Sequence, residues 1–324
     1  MRFVAIVAAA ASMAFAACGG SRPAAPVTPS SAVPEAPFSL AGRVYRVSDR
    51  SFVDERALLD DLATARFVLL GEVHDSDEAH RAQRNIVEAL VARGRHPALV
   101  FEMIDADRQP AIETARQSGS RDADAFADAV NFDRAGWPWV FYRPLVAIAL
   151  AHDLPIVAGN APRAETRSLV MRGLASIDAT RARLLGLDTP LAADAQATLR
   201  ADMRESHCNM LPEEMLDGMA LAQRARDGSL AERMVSAGRE AVLIAGAGHA
   251  RTDRGVPARL HALAPDSAVR SIGFVEVDPR ESDPQAYAVR FRADTLPFDV
   301  AWFVNPVARE RDQCEQLRHR PGSS

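Results

Sequence analysis

The chain contains no lysine: the 38 residues counted as lysine or arginine are all arginine. That absence excludes a Schiff-base lysine, a phosphate-binding Walker-A lysine and a serine-lysine dyad. The net charge of -5 provides no basic field and the arginines are dispersed, so nucleic acid is not an expected partner. Aromatic residues are scarce at 6%, which makes any local cluster of them informative. No Cys-x-x-Cys-His, Gly-x-Ser-x-Gly or His-Glu-x-x-His string occurs; covalent c-type haem attachment, the serine-hydrolase elbow and the zincin helix are thereby excluded. Beyond residue 17 no apolar run reaches the roughly 20 residues needed to span a bilayer.

What is present begins with the grammar of a secretory signal: Arg2, an apolar stretch over residues 3–17, and Ala16-Ala17-Cys18. Small residues before a cysteine predict a signal peptide over 1–17 and lipidation of Cys18. With no Asp beside that cysteine, the expected location is a lipid anchor on the periplasmic side of the outer membrane. Residues 18–38 are mainly Gly, Ser, Ala and Pro, including Pro23, Pro26, Pro29, Pro34 and Pro37, with too little apolar surface to offset ordering entropy. They read as a tether. One large domain is expected over 39–306, followed by a tail over 307–324. Of the three cysteines, Cys208 and Cys314 remain; an oxidising compartment is compatible with a bridge stapling the tail to the body or with two independent thiols.

Four apolar runs share one layout: Phe67-Val-Leu-Leu-Gly-Glu-Val-His74, Ala98-Leu-Val-Phe-Glu102, Pro155-Ile-Val-Ala-Gly-Asn160 and Ala241-Val-Leu-Ile-Ala-Gly-Ala-Gly-His249. Uninterrupted runs of this length are typical of parallel strands buried on both faces. Helical patterns alternate with them, one starting at Asp77 as a candidate cap, with Ala79, Ala82, Ile86 and Leu90 at helical spacing before Gly94. Others are expected over 163–172 and near Pro257. The alternation predicts an α/β fold with a mostly parallel, doubly wound sheet. Further strands are predicted over 269–277, 287–292 and 300–304. Two long insertions, 103–153 and 161–240, read as helical caps over the functional edge. The first holds the aromatic cluster Trp137-Pro-Trp-Val-Phe-Tyr142 and the second Met203, Met210, Met215, Met219 and Met234, methionines that read as irregular helical core.

Ligands of open α/β sheets bind outside the carboxyl ends of the strands, where this chain places Glu72 and His74, Glu102, Asn160 and Arg163, and His249. Two imidazoles and two carboxylates in one crevice suit acid/base work on water by Glu72, His74, Glu102 and His249, or a divalent metal held by His74, Glu102 and His249. Arg163 and Asn160 are candidates for holding a carboxylate-bearing ligand. His80 follows His74 by nearly two helical turns. His207 and Tyr142 are candidate ligands for a haem iron.

Taken together, Gly71-Glu-Val-His-Asp75 with His80 and Gln83, Phe101-Glu-Met103, Trp139-x-x-Tyr142-x-Pro144-Leu145, Ala158-Gly-Asn160 with Arg163, His207-Cys208, and Gly246-Ala-Gly-His249 with Gly255-Val-Pro257 resemble the ChaN family of haem-binding, iron-uptake-associated lipoproteins. The resemblance runs in consistent order over residues 53–277. The core is similar to those of erythromycin esterases and Tiki-type metal-dependent proteases, a wider group that implies a catalytic or metal role for Glu72, His74, Glu102 and His249. Two functions stay open. One is a lipid-anchored receptor that holds haem noncovalently, exchanges it with haem transport components and forms a homodimer; the other is a hydrolase of esters or peptides acting through the strand-end Glu/His cluster.

Overall fold

The computed structural model describes residues 40–309 and 314–315. The expected signal segment, Cys18 and the tether lie outside them, as does most of the tail. In chain order the described elements are β1 (Val44–Arg46), β2 (Ser51–Val53), α1 (Glu55–Leu62), β3 (Phe67–Glu72), α2 (Asp77–Ala92), β4 (Ala98–Asp105), α3 (Gln109–Gln117), α4 (Ala123–Ala129), α5 (Trp139–Ala151), β5 (Ile156–Asn160), α6 (Arg163–Arg172), α7 (Ala179–Leu185), α8 (Ala193–Ser206), α9 (Leu216–Ser236), β6 (Ala241–Gly246), α10 (Ala247–Ala250), α11 (Val256–Leu263), β7 (Val269–Glu276) and β8 (Val300–Val304).

The strands form one sheet in the order β2-β1-β8-β7-β3-β6-β4-β5. From β8 to β5 all neighbours are parallel, while β1 and β2 add an antiparallel edge. The mostly parallel α/β architecture expected from the apolar runs is the one observed. Because β6 lies between β3 and β4, the carboxyl ends of three strands far apart in sequence stand side by side, with Glu72 opposite Gly246 and Phe101 opposite Ile244.

Alternation along each strand divides the interior into two cores. Val68 and Leu70 of β3, Leu99 and Phe101 of β4, and Val242 and Ile244 of β6 bury against Leu58, Ile86, Ile112 and Leu145 from α1, α2, α3 and α5. Their neighbours Phe67, Leu69, Ala98, Val100, Ala241 and Leu243 bury against Leu230, Met234 and Leu260 from α9 and α11. Each such Leu or Phe removed from water contributes about 1.5–3 kcal/mol. Both faces are covered, which is why the runs lack polar alternation.

Two local expectations are corrected. The cap of α2 is Ser76, whose side chain accepts from the Ala79 amide at 3.2 Å; Asp77 instead opens the first turn, where its charge favours the helix dipole. Residues 287–292 do not form a strand. Asp283 caps that segment by accepting from the Gln285 amide, Pro284 opens it, and Pro284–Phe291 coils as a 3-10 helix. Cys208 and Cys314 are bridged, with Cα atoms 5.3 Å apart, so the tail is stapled beside the end of α8. Of the two insertions, the first packs mainly into the core through Ile112, Phe126, Tyr142 and Leu145, and the second lays α6 and α8 against α9 at the sheet's carboxyl edge. Among the described residues no helix is long and apolar enough to cross a membrane.

Candidate functional site

Strand parity decides where each strand-end carboxylate looks. Glu72 continues the row of Val68 and Leu70 and faces α2 and α5; its Oε1 accepts from the Tyr142 hydroxyl at 2.7 Å and stands 2.9 Å from His74 Nδ1. A carboxylate can only accept, so that nitrogen carries the proton. Glu72 Oε2 is buried without a hydrogen bond. It lies 3.3 Å from His80 Nδ1, but that nitrogen is aligned with Gln83 Oε1 at 3.1 Å, and the contact with Glu72 is proximity only. The ring of His80 stacks on Phe141 at 4.5 Å.

Glu102 continues the row of Ala98 and Val100 and faces α9. Its Oε2 accepts from the Gly246 amide at 2.8 Å, and its Oε1 lies 3.2 Å from His249 Nε2. The other ring nitrogen, Nδ1, is 2.6 Å from Asp227 Oδ1 on α9. Burial opposes charge on His249, but the Glu102 and Asp227 carboxylates outweigh it and lift the imidazole from 6.5 to about 10. Burial likewise raises Glu102, yet the His249 charge and hydrogen bond, the nearby His74 charge and the Gly246 amide bring it down to about 2. Asp227 is moved upward by burial, partly countered by His249. The result is a buried imidazolium clasped between two carboxylates.

His74 joins the two clusters. Its side chain is 47% exposed, and a Cβ at Gly246 would stand 2.8 Å from its Nε2, so glycine there admits the ring against β6. Burial lowers its basicity, while the Glu72 hydrogen bond and the charges of Glu102 and Glu72 raise it further. Gly71 has a comparable role: a Cβ would meet Ala250 at 2.6 Å, so its absence lets α10 close onto β3.

These groups form the floor of a cleft of about 1050 Å³. Trp137, Val170, Leu199, Met203 and Met219 supply apolar walls, and Glu72, His74, Glu102, His249 and His207 all line it. The second insertion therefore roofs the strand edge, and part of the methionine run faces the cleft rather than the core. His207 Nδ1 is 2.8 Å from the Met203 carbonyl, which fixes its proton there and leaves Nε2 as the basic nitrogen.

Other expected positions are placed differently. Tyr142 is fully buried, burial with the Glu72 charge pushes its phenol upward, and its hydroxyl donates to Glu72; it is not among the residues that line the cleft. Arg163 is ion-paired with Asp133 and Asp105 and does not line the cleft. Asn160 closes β5, buried with its Oδ1 unpartnered, also away from it. Among the described residues no group of three or more His, Cys, Asp or Glu side chains is disposed to hold a metal ion, so the divalent metal expected at His74, Glu102 and His249 finds no support. Asp227 was not anticipated. The available signal was an acid amid Ala220, Ala225, Leu230, Ala231 and Met234, the buried positions of α9.

A parallel α/β scaffold with a roofed, partly apolar cleft at its strand ends defines a ligand-binding protein of the sheet-edge class. The family described as haem-binding uptake, Tiki superfamily, ChaN, matches residues 58–260, and the chain belongs to it. A solved structure described as cofacial haem binding to ChaN of Campylobacter jejuni is 20% identical, with a TM-score of 0.61, covering 74% of this chain and 94% of that one; it shares the fold. A mutant erythromycin esterase, EreC, in its open conformation is 15% identical with a TM-score of 0.39, covering 84% of this chain and 86% of its own. The type III effector HopBA1 is 12% identical with a TM-score of 0.41, covering 77% and 92%. No curated protein matches the sequence.

Proposed function

We propose that this protein binds haem noncovalently in the cleft and serves haem or iron uptake, lipid-anchored through Cys18 on the periplasmic side of the outer membrane and exchanging haem with transport components. The homodimer expected from the family resemblance belongs to the same proposal, with haems stacked as named for the Campylobacter protein. The observation that carries it is the pairing of apolar walls with one prepared imidazole, His207, whose Nδ1 is held by the Met203 carbonyl. The adjacent Cys208–Cys314 bridge fixes the chain where that imidazole emerges. Trp137, Met203 and Met219 would hold the ring, and His207 would hold the iron. Bound haem would supply an iron centre able to take a nitrogen ligand.

A haemin titration of the full-length protein in detergent micelles, followed by absorbance, tests this. The expected outcome is a saturable, shifted Soret band in the wild type and in Tyr142→Phe, lost or displaced in His207→Ala. Loss in Tyr142→Phe instead would move the ligand to the floor. No saturable shift in the wild type overturns the haem reading.

A second reading, acid/base hydrolysis of esters or peptides, is favoured by one observation: His74 has Nδ1 fixed on Glu72 and Nε2 without a partner among the described residues. In that case Nε2 would accept a proton from water, and His74→Ala would abolish hydrolysis while leaving haemin binding intact.

A further inference from the structure

Sorting the charged groups that line the cleft by their partners sets two of them apart. Glu102 and Asp227 are both in contact with His249, Glu72 with Tyr142 and His74, Asp75 with Arg309 and Asp202 with Arg254. Two lining guanidiniums, Arg167 of α6 and Arg226 of α9, have no ion-pair or hydrogen-bond partner in the described chain. Arg226 is half-buried, with an Nε that is shut off from solvent and unpartnered; it influences Asp105 electrostatically without an ion pair between them. Such a donor is costly to bury unless an acceptor arrives. The two residues come from helices in close contact, since a Cβ at Gly218 would lie 2.4 Å from the Val170 carbonyl oxygen.

We propose that Arg167 and Arg226 form a carboxylate-binding subsite of the cleft that takes the propionates of the haem. This rests on the haem reading. A planar ligand with an apolar body and two carboxylates on one edge suits a cleft whose walls are apolar and whose unpartnered guanidiniums come from adjacent helices; the guanidinium fork matches a carboxylate in a bidentate pair. Arg163, one helical turn before Arg167, cannot serve because Asp133 and Asp105 already neutralise it.

The test compares haemin with haemin dimethyl ester, which keeps the ring and iron and loses both charges. Affinities are measured by Soret titration of the full-length wild type, Arg167→Ala, Arg226→Gln, the double variant and Arg143→Ala, the last altering an arginine paired with Asp124 outside the cleft. The wild type should bind haemin roughly ten- to a hundredfold tighter than the ester. The double variant should lose most of that preference, while Arg143→Ala keeps it. Unchanged ester binding in the double variant shows that the cleft is still folded. If the double variant retains the preference, or Arg143→Ala loses it equally, the subsite is refuted. If the wild type binds the ester but shows no preference for haemin, the subsite falls and the haem reading stands; if it binds neither, both fall.

Discussion

The floor of the cleft and its outer wall are built on opposite principles. On the floor, Asp227, His249 and Glu102 bond to one another and to the backbone, and Glu72 is held through Oε1 by Tyr142 and His74, with only its Oε2 left unbonded among the described residues. On the wall, Arg167, Arg226 and the Nε2 of His207 belong to residues that line the cleft and have no partner among the described residues. Buried charges bonded to one another hold a fold in one arrangement, whereas unpartnered guanidinium donors and a ring nitrogen with a free lone pair at a cavity wall are positioned for something that arrives from outside. The contrast separates residues whose loss should unfold the protein from residues whose loss should empty it. It also bears on the hydrolytic reading, since a clasped imidazolium is a poor general base, and His74 is left as the group able to exchange protons with the cleft.

The largest effect that would sharpen this contrast is expected from His249→Ala. Removing the imidazolium strands Glu102 and Asp227 as buried carboxylates, and breaking a buried pair in this way costs about 3–5 kcal/mol. Urea unfolding should show that loss. A cost below about 1 kcal/mol would mean that the floor is no more integral than the wall, and the contrast would break.

A smaller, graded loss should follow from pH alone. His249 is raised from 6.5 to about 10 in the folded chain, so its stabilisation is complete below about 6.5 and disappears as pH climbs through 10. Glu102 is lowered from 4.5 to about 2, so its contribution is complete above about 4.5 and disappears as pH falls through 2. Melting temperature should therefore hold up between about pH 4.5 and 6.5 as far as this pair is concerned and decline on both sides. A Glu102→Gln variant that keeps the same decline below pH 4.5 would assign it to other carboxylates.

Much of the floor was legible because it depends on chemistry that repeats along strands. Four apolar runs ending in Glu, Asn or His marked β3, β4, β5 and β6, and an edge lined by such residues follows from parallel alignment. The strand order was not legible, since the placement of β6 between β3 and β4 depends on crossover packing rather than on any local pattern. β1 and β2, three residues each, are too short to display a period. The wall was harder still. Arg163 and Arg167 lie on one helix with the same chemistry, and only the tertiary placement of Asp133 and Asp105 shows that the first is neutralised and the second is not. Asp227 was obscured for a similar reason: in a helix of 21 residues, one acid reads as solvated until the partner imidazole is seen.

The mildest expected perturbation is Tyr142→Phe, which removes one donor from the floor and keeps the ring. The phenol is fully buried in the core that also holds Phe132 and Leu145, so packing is preserved and the cost is confined to one hydrogen bond to a charged acceptor, about 1.5–3 kcal/mol. With that donor gone, Glu72 Oε1 relies on His74 alone, and the carboxylate should draw the His74 proton more strongly. The His74 imidazole, already raised by Glu72 and Glu102, should therefore titrate at a higher pH in the variant than in the wild type, readable by NMR of the ring protons. A downward movement would mean that the Tyr142 bond orients Glu72 toward His74 rather than competing with it. In that case the floor is a relay in which one donor sets the geometry of the next.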